Sequence, residues 1–313
     1  VFLGLPGDIL KHEADLDLMQ PTRVAPRIRG DRDAVEAAAD MLAKAKRPLI
    51  IAGDAVAQSY ALSELVELAE LIGAPVYAEF VPNTVSFPSS HPLFRGSMIR
   101  SAPEARKILD EYDLLFSVGA DLFTLSLPHK TDPMPPGMPL IHLDTDPWQI
   151  GKNYPAAAAI LGDPKATLAK LAQAIGKPRR DMAFAERAMG IMKAWREERA
   201  PMLTSNKVAI WPDRLCAEIT AALPHDGILV ADTGYSSIWT SSLVELNGEG
   251  QTYLRAAGSL GWSFPAALGA KCAAPHRKVI CWSGDGAIYY HLTELETAKR
   301  RGILPGRSPY MPL

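Results

Sequence analysis

Short, almost wholly apolar runs alternate with stretches of helical spacing along most of this chain, and that alternation limits its fold more than any other feature. LIIAG (49–53), DLLFSVGA (113–120), PLIHLDTD (139–146), GILVAD (227–232) and KVICWSGDG (278–286) have no wet face when read with period two. Runs of that kind are strands buried on both sides, and helices between them make the sheet parallel. The expected class is α/β, with two doubly wound parallel-sheet domains. A length of 313 residues also favours two domains over one core.

The first block of alternation runs over residues 31–176. DRDAVEAAADMLAKAK (31–46) has apolar positions at helical spacing and stops at Arg47-Pro48. Helices are expected at 61–72, 102–111 and 164–175, a further strand at 75–79, and an irregular Pro- and Ser-rich stretch at 80–97. Residues 177–206 are charged and read as a connector with a helical stretch at 183–199. The second block, 207–313, starts with a helix at 212–222. It continues with helices at 236–246, 261–273 and 288–301 and a short strand at 252–255. Ahead of both blocks, residues 1–5 read as the last strand of a preceding domain, and Pro21 and Pro26 make 11–30 a linker.

Composition removes several function classes. A formal net charge of −2 announces no basic face for nucleic acid. Cys216, Cys272 and Cys281 form no C-x-x-C pair, which suits a reducing, cytoplasmic compartment and gives neither a disulfide framework nor a cysteine zinc site. No apolar run reaches bilayer length, and the first residues lack the basic region of a signal peptide.

The chemistry concentrates at Gly284-Asp285-Gly286. The strand before it is apolar enough for a central position, and a helix is expected to begin near Ile288. Ligands in parallel sheets sit beyond the carboxyl ends of strands. Two glycines let backbone N–H groups approach an anion, and a helix start favours a phosphate. Asp285 adds a hard oxygen of the kind Mg²⁺ takes when it bridges a diphosphate. The tripeptide alone suits equally a plain turn with Asp285 as N-cap. Two further turns of similar make precede it: Asp232-Thr233-Gly234-Tyr235-Ser236, and Gly258-Ser259-Leu260-Gly261-Trp262 ahead of the small-residue helix PAALGAKCAA (265–274).

With GSLGWSFPAALGAK followed by VICWSGDGAIYYHLTELETA, the chain resembles the thiamine diphosphate-dependent enzymes of the acetolactate synthase and benzoylformate decarboxylase group. SFPSSHPLFRG (86–96) and VGADLF (118–123) look most like benzoylformate decarboxylase, and IHLDTDPWQIGKNYP (141–155) is similar to decarboxylase-like members in general. The resemblance implies the end of a pyrimidine-binding domain with its linker (1–30), a central domain (31–176) and the start of a diphosphate-binding domain (207–313). It implies thiamine diphosphate and Mg²⁺ as cofactors, with Asp285 as metal ligand. Gly284, Gly286 and Ala287 would hold the diphosphate, and Ala287 stands where a Ser is usual. Gly234, Tyr235 and Ser236 match a second diphosphate-binding segment. Gly258 and Ser259 would border the aminopyrimidine, with Gly258 accepting from its amine, and Leu260 would wedge the cofactor into its bent form. The reaction implied is decarboxylation or carboligation of a small-molecule 2-oxo acid, by a homo-oligomer with the cofactor at a subunit interface.

Two departures qualify the resemblance. The family closes this motif with an Asn-Asn strand, whereas this chain has no Asn after Asn247 and ends in LPGRSPYMPL with Pro305, Pro309 and Pro312, which a central strand excludes. The Glu that activates the pyrimidine ring belongs to the domain before Val1, so no catalytic residue is assigned. The expectation is a fragment without activity of its own; the alternative is a non-catalytic nucleotide-binding or interaction module of the same descent. Where benzoylformate decarboxylase has a catalytic His, alignment puts Ser126; nearby His129 reads better as a surface residue, and His291 as a structural neighbour of the cleft. Gly53-Asp54-Ala55 lacks G-x-G-x-x-G and reads as an ordinary turn rather than a flavin or nicotinamide site. Trp239, Trp262 and Trp282 read as packing residues.

Overall fold

A computed structural model describes residues 4–303, except residues 18, 26, 81, 125–126, 178–181, 249 and 257. The described residues of 4–29 are exposed and carry no regular structure beyond a short 3-10 turn at Ile9–Lys11. Gly4 and Leu5 belong to no strand, and the rest of the strand expected at 1–5 lies outside the described residues, as does the tail 304–313.

Regular structure begins where a cap can start it. The Asp31 carboxylate accepts from the Asp33 and Ala34 amides and opens α1 (Arg32–Lys44), whose buried stripe is Val35, Ala38, Ala39 and Leu42. There follow β1 (Pro48–Ala52), α2 (Asp54–Gln58), α3 (Leu62–Ile72), β2 (Val76–Ala78), β3 (Phe94–Ser97), α4 (Ala102–Leu109), β4 (Leu114–Val118), β5 (Leu140–Asp144), β6 (Ala158–Leu161) and α5 (Pro164–Ile175). The six strands form one parallel sheet in the order β3-β2-β1-β4-β5-β6. Each face has its own core. Ile50 and Ala52 join the side covered by α1, α3 and α5, whereas Leu49 and Ile51 join Leu109 of α4 on the other. The sheet is doubly wound, as expected.

Helix α6 (Met182–Leu203) leads to the second unit: α7 (Pro212–Ala222), β7 (Ile228–Ala231), α8 (Tyr235–Leu243), β8 (Thr252–Arg255), α9 (Ser263–Ala273), β9 (Val279–Trp282), α10 (Asp285–Tyr289) and α11 (Glu294–Arg300). Its three strands are parallel in the order β8-β7-β9. The α7 and α8 side packs on Leu229 and Ala231, and α9 packs on Ile228 and Val230. Arg277 ties the amino ends of these strands, donating to the carbonyls of Asp226, Gly227 and Gly250 and to Thr252 Oγ1 at 2.5, 3.3, 2.7 and 2.9 Å. Among the described residues no helix is long and apolar enough to cross a membrane.

Three expectations need correction, and one strand, β6, was not anticipated. The stretch 80–97 is not irregular throughout, because Phe94–Ser97 pairs with β2. β6 arises from an Ala-rich segment whose burial alternates, so it carries little strand signal. β9 pairs only with β7 among the described residues and is half-exposed, an edge rather than a centre. The single helix expected at 288–301 is two short ones, separated by 3-10-like hydrogen bonds such as Tyr290 N to Ala287 O and Glu294 N to His291 O. The first of them starts at Asp285, with Gly284 rather than Asp285 in the N-cap position.

Candidate active site

Because β7 is flanked by β8 and β9 in register, Ala231 stands opposite Arg255 on one side and Trp282 on the other. The chain therefore leaves three adjacent strands at the same level, and the three Gly-containing turns start side by side. What holds them there is a residue whose role the sequence did not disclose. Asp232, fully buried, accepts from the amides of Thr233 (2.9 Å), Gly261 (3.1 Å) and Ser263 (3.0 Å), while its own amide donates to Trp282 O at 2.9 Å. Burial pushes its carboxyl up, but the donors from Ser263, Gly261 and Thr233 outweigh this and hold it below the usual range. A carboxylate placed directly after four buried apolar residues was the available signal.

Further contacts close the triangle. At Gly261 (φ 86°) an added Cβ would stand 2.6 Å from Tyr290 Cβ, 2.9 Å from His291 Cδ2 and 3.1 Å from Ala287 O, so the second turn lies directly on the end of α10. At Gly284 the nearest atom to such a Cβ would be Ser236 Oγ at 3.8 Å, which brings the first turn to the third. Gly234 (φ 74°) caps α8, and its carbonyl accepts from Ser237 Oγ at 2.7 Å. His291 is thus a neighbour of the site, packed against Gly261. His129 is exposed, and its Nδ1 accepts from Thr131 N at 2.9 Å within its own loop. Ser126 lies outside the described residues. Trp239 stacks on Tyr235 (5.5 Å) and meets Trp282 (6.3 Å), a ladder under the first turn that bears out their reading as packing residues; Trp262 packs on the α9 side.

The surface so formed suits a diphosphate and one hard cation. A Cβ added at Gly234, Gly258 or Gly286 would meet nothing within 4 Å, so open space lies over backbone that a ligand can approach closely. Asp285 is exposed, makes no ion pair among the described residues, and accepts only from the Gly286 amide at 2.8 Å. Leu260, in the second turn, is half exposed. With five residues α10 carries little dipole, so the nine-residue α8, capped by Gly234, is the stronger source of free helical N–H groups. No group of three or more His, Cys, Asp or Glu gathers to hold a metal among the described residues. Mg²⁺ commonly takes one or two carboxylates together with the ligand's phosphates.

The carboxyl ends of the central sheet offer a different surface. A cavity of about 270 Å³ between the β1 and β4 ends is lined by Asp54, Glu79, Asp121, Asp144 and Asp146, and no lysine or arginine is among its lining residues. Its aspartates oppose the diphosphate of a flavin or nicotinamide dinucleotide. Gly53 serves packing instead: a Cβ there would stand 2.1 Å from Gly119 O.

The three-turn site on one sheet beside a doubly wound central unit defines a cofactor-dependent α/β enzyme, and comparison with known proteins says which. Residues 35–171 match the family described as "Thiamine pyrophosphate enzyme, central domain", and residues 232–305 the one described as "Thiamine pyrophosphate enzyme, C-terminal TPP binding domain". The chain belongs to the thiamine pyrophosphate-dependent enzymes. It is 31% identical to the sulfoacetaldehyde acetyltransferase of Castellaniella defragrans over 96% of its own length and 54% of the relative's. It is 28% identical to a probable acetolactate synthase large subunit of Methanococcus aeolicus, over 97% and 54%. The benzoylformate decarboxylase of Polynucleobacter necessarius shares the fold with a TM-score of 0.72 at 24% identity, covering 92% of this chain and 52% of that one. The thiamine diphosphate-dependent 4-hydroxybenzoylformate decarboxylase of Rhodococcus jostii RHA1 gives 0.70 at 27%, covering 91% and 51%. The chain spans about half the length of the curated relatives it matches.

Proposed function

We propose that this chain is the central and cofactor-binding part of a thiamine diphosphate- and Mg²⁺-dependent decarboxylase or carboligase acting on a 2-oxo acid. The observation that carries the reading is the convergence of three turns, pinned by Asp232, around an exposed and unpaired Asp285. Asp285 is the residue to ligate Mg²⁺; Gly284, Gly286 and Ala287, with Gly234, Tyr235 and Ser236, present backbone to the diphosphate. Gly258 and Ser259 border the ring system, and Leu260 supplies an apolar wedge. When bound, the cofactor's thiazolium accepts the electron pair released as a 2-oxo acid loses carbon dioxide. The protein's own part is to fix the turns, offer N–H groups and one carboxylate, and keep an apolar wall against the reacting end. Benzoylformate, whose 4-hydroxy form is named for one structural relative, is a 2-oxo acid and supports that substrate class; sulfoacetaldehyde, named for another relative, is an aldehyde and supports only the shared cofactor chemistry.

The chain spans about half the length of its relatives, and in this reading it is by itself a weak or inactive catalyst. Exposed Tyr235, Leu260, Tyr289 and Tyr290 border the site and support a homo-oligomer that covers it. Three unpaired thiols suit a reducing, cytoplasmic compartment. Calorimetric titration of thiamine diphosphate with and without Mg²⁺ is the test. Asp285→Ala should weaken Mg²⁺-dependent binding by about a hundredfold or more; binding undiminished by that substitution would sink the assignment. Brisk decarboxylation of pyruvate or benzoylformate by the chain alone would instead overturn its inactivity.

A further inference from the structure

A second cavity, of about 570 Å³, opens between β3, α6, α7 and the end of α8, away from the three turns. That volume falls within the range of small-molecule sites. Its walls are largely apolar, with Phe94 of β3 facing Ile191, Trp195 and Leu203 of α6 and Leu243 and Val244 at the end of α8. Ile191, Trp195 and Leu203 are each more than a third exposed, an unusual amount of open apolar surface on one helix.

Three guanidinium groups line the same cavity, and their commitments differ. Arg199 is paired with Asp213 and lies over the Trp195 ring at 4.7 Å. Arg95 and Arg196 have no ion-pair partner among the described residues. Arg95 donates to Ala188 O at 3.2 Å, and Arg196 to Ser89 O at 2.9 Å. Arg95 also interacts with the Tyr77 and Tyr112 hydroxyls, but each fork has five N–H donors in a plane that matches a carboxylate, so both keep donors to spare. Glu245, the acidic residue in the lining, is exposed at the rim.

We infer that this cleft is a binding site for an amphipathic carboxylate, with the acid group held by Arg95 and Arg196 and an aromatic or short aliphatic body lying on the Phe94 and Trp195 walls. Bidentate, charge-assisted bonds inside a partly dry cleft favour an anion, whereas an amine of the same shape would face two like charges. The site is independent of the proposed cofactor and needs neither thiamine diphosphate nor Mg²⁺.

Isothermal titration of benzoate and hexanoate into the purified chain tests this, with benzylamine and hexylamine as cationic controls and no cofactor present. Saturable binding of both acids is expected, with the amines weaker by about tenfold or more. Arg95→Gln and Arg196→Gln should each weaken the acids by about tenfold. Ala217→Phe should abolish binding with both arginines intact, because residue 217 lines the cleft from α7. That variant and the acid-against-amine comparison still decide the matter if an arginine variant fails to fold. Equal binding of acids and amines, acid binding unchanged by both arginine substitutions, or no saturation below about 10 mM overturns the inference.

Discussion

Two carboxylates show how differently one side-chain type can be used in this fold. Asp232 spends its charge on three backbone amides and is held ionised, whereas Glu79 bridges the Asp54 and Asp121 amides beside other acids. Burial first, then the neighbouring Asp54, pushes the Glu79 carboxyl up to about 8. Between its ordinary value of 4.5 and 8 the folded chain binds more protons there than the unfolded chain, so this group's contribution to stability falls as pH rises through that window. Glu79→Gln should flatten the loss, whose slope is at most about 1.4 kcal/mol per pH unit, in denaturant titrations run from pH 5 to 8. Asp232→Asn should cost about 2–3 kcal/mol in the same assay, because an amide N–H₂ then faces buried N–H donors. It should also free the Gly261 and Ser263 amides to exchange with solvent. Neither role was legible in the sequence, since both depend on amides 25 to 42 residues away.

At the level of elements, the glycines separate folding from binding. Gly261→Ala drives a Cβ into Tyr290 and His291 at a positive φ and should lower stability by about 1–3 kcal/mol. Gly286→Ala meets nothing, so thermal melting should leave its stability nearly unchanged while calorimetry shows weaker thiamine diphosphate binding. Equal stability losses in both would contradict that division. Buried strands such as β1 and β4 were plain in the sequence because every residue in them is buried. β3 and β6 were not, since FRGS and AAIL pair by backbone at the two edges of the sheet and carry mixed burial. The Gly-Asp-Gly turn was legible as chemistry; the break after α10 was not, because a run such as AIYYHLTELETA has unbroken helical spacing.

Over the whole molecule, the rim of the site stands out as exposed apolar surface. Tyr235, Leu260, Tyr289 and Tyr290 are 72%, 50%, 74% and 66% exposed around one opening, more than a surface meant for water would keep. Sedimentation velocity should show self-association that grows with concentration and is reduced by a double substitution of Tyr289 and Tyr290 to Glu; a monomer at all concentrations would count against it. The division into two α/β units followed from the alternation of apolar runs, but their junction did not, because α6 and the α8 end meet β3 through side chains scattered over 150 residues. Arg277 binds the amino ends of the second unit's strands and Asp232 their carboxyl ends, chiefly through main-chain groups and not through each other's charge. A frame anchored at both margins in this way has little slack to take up when a ligand arrives. Much of the ordering needed for capture is completed during folding, and what remains free to adjust is the side chains that overhang the opening.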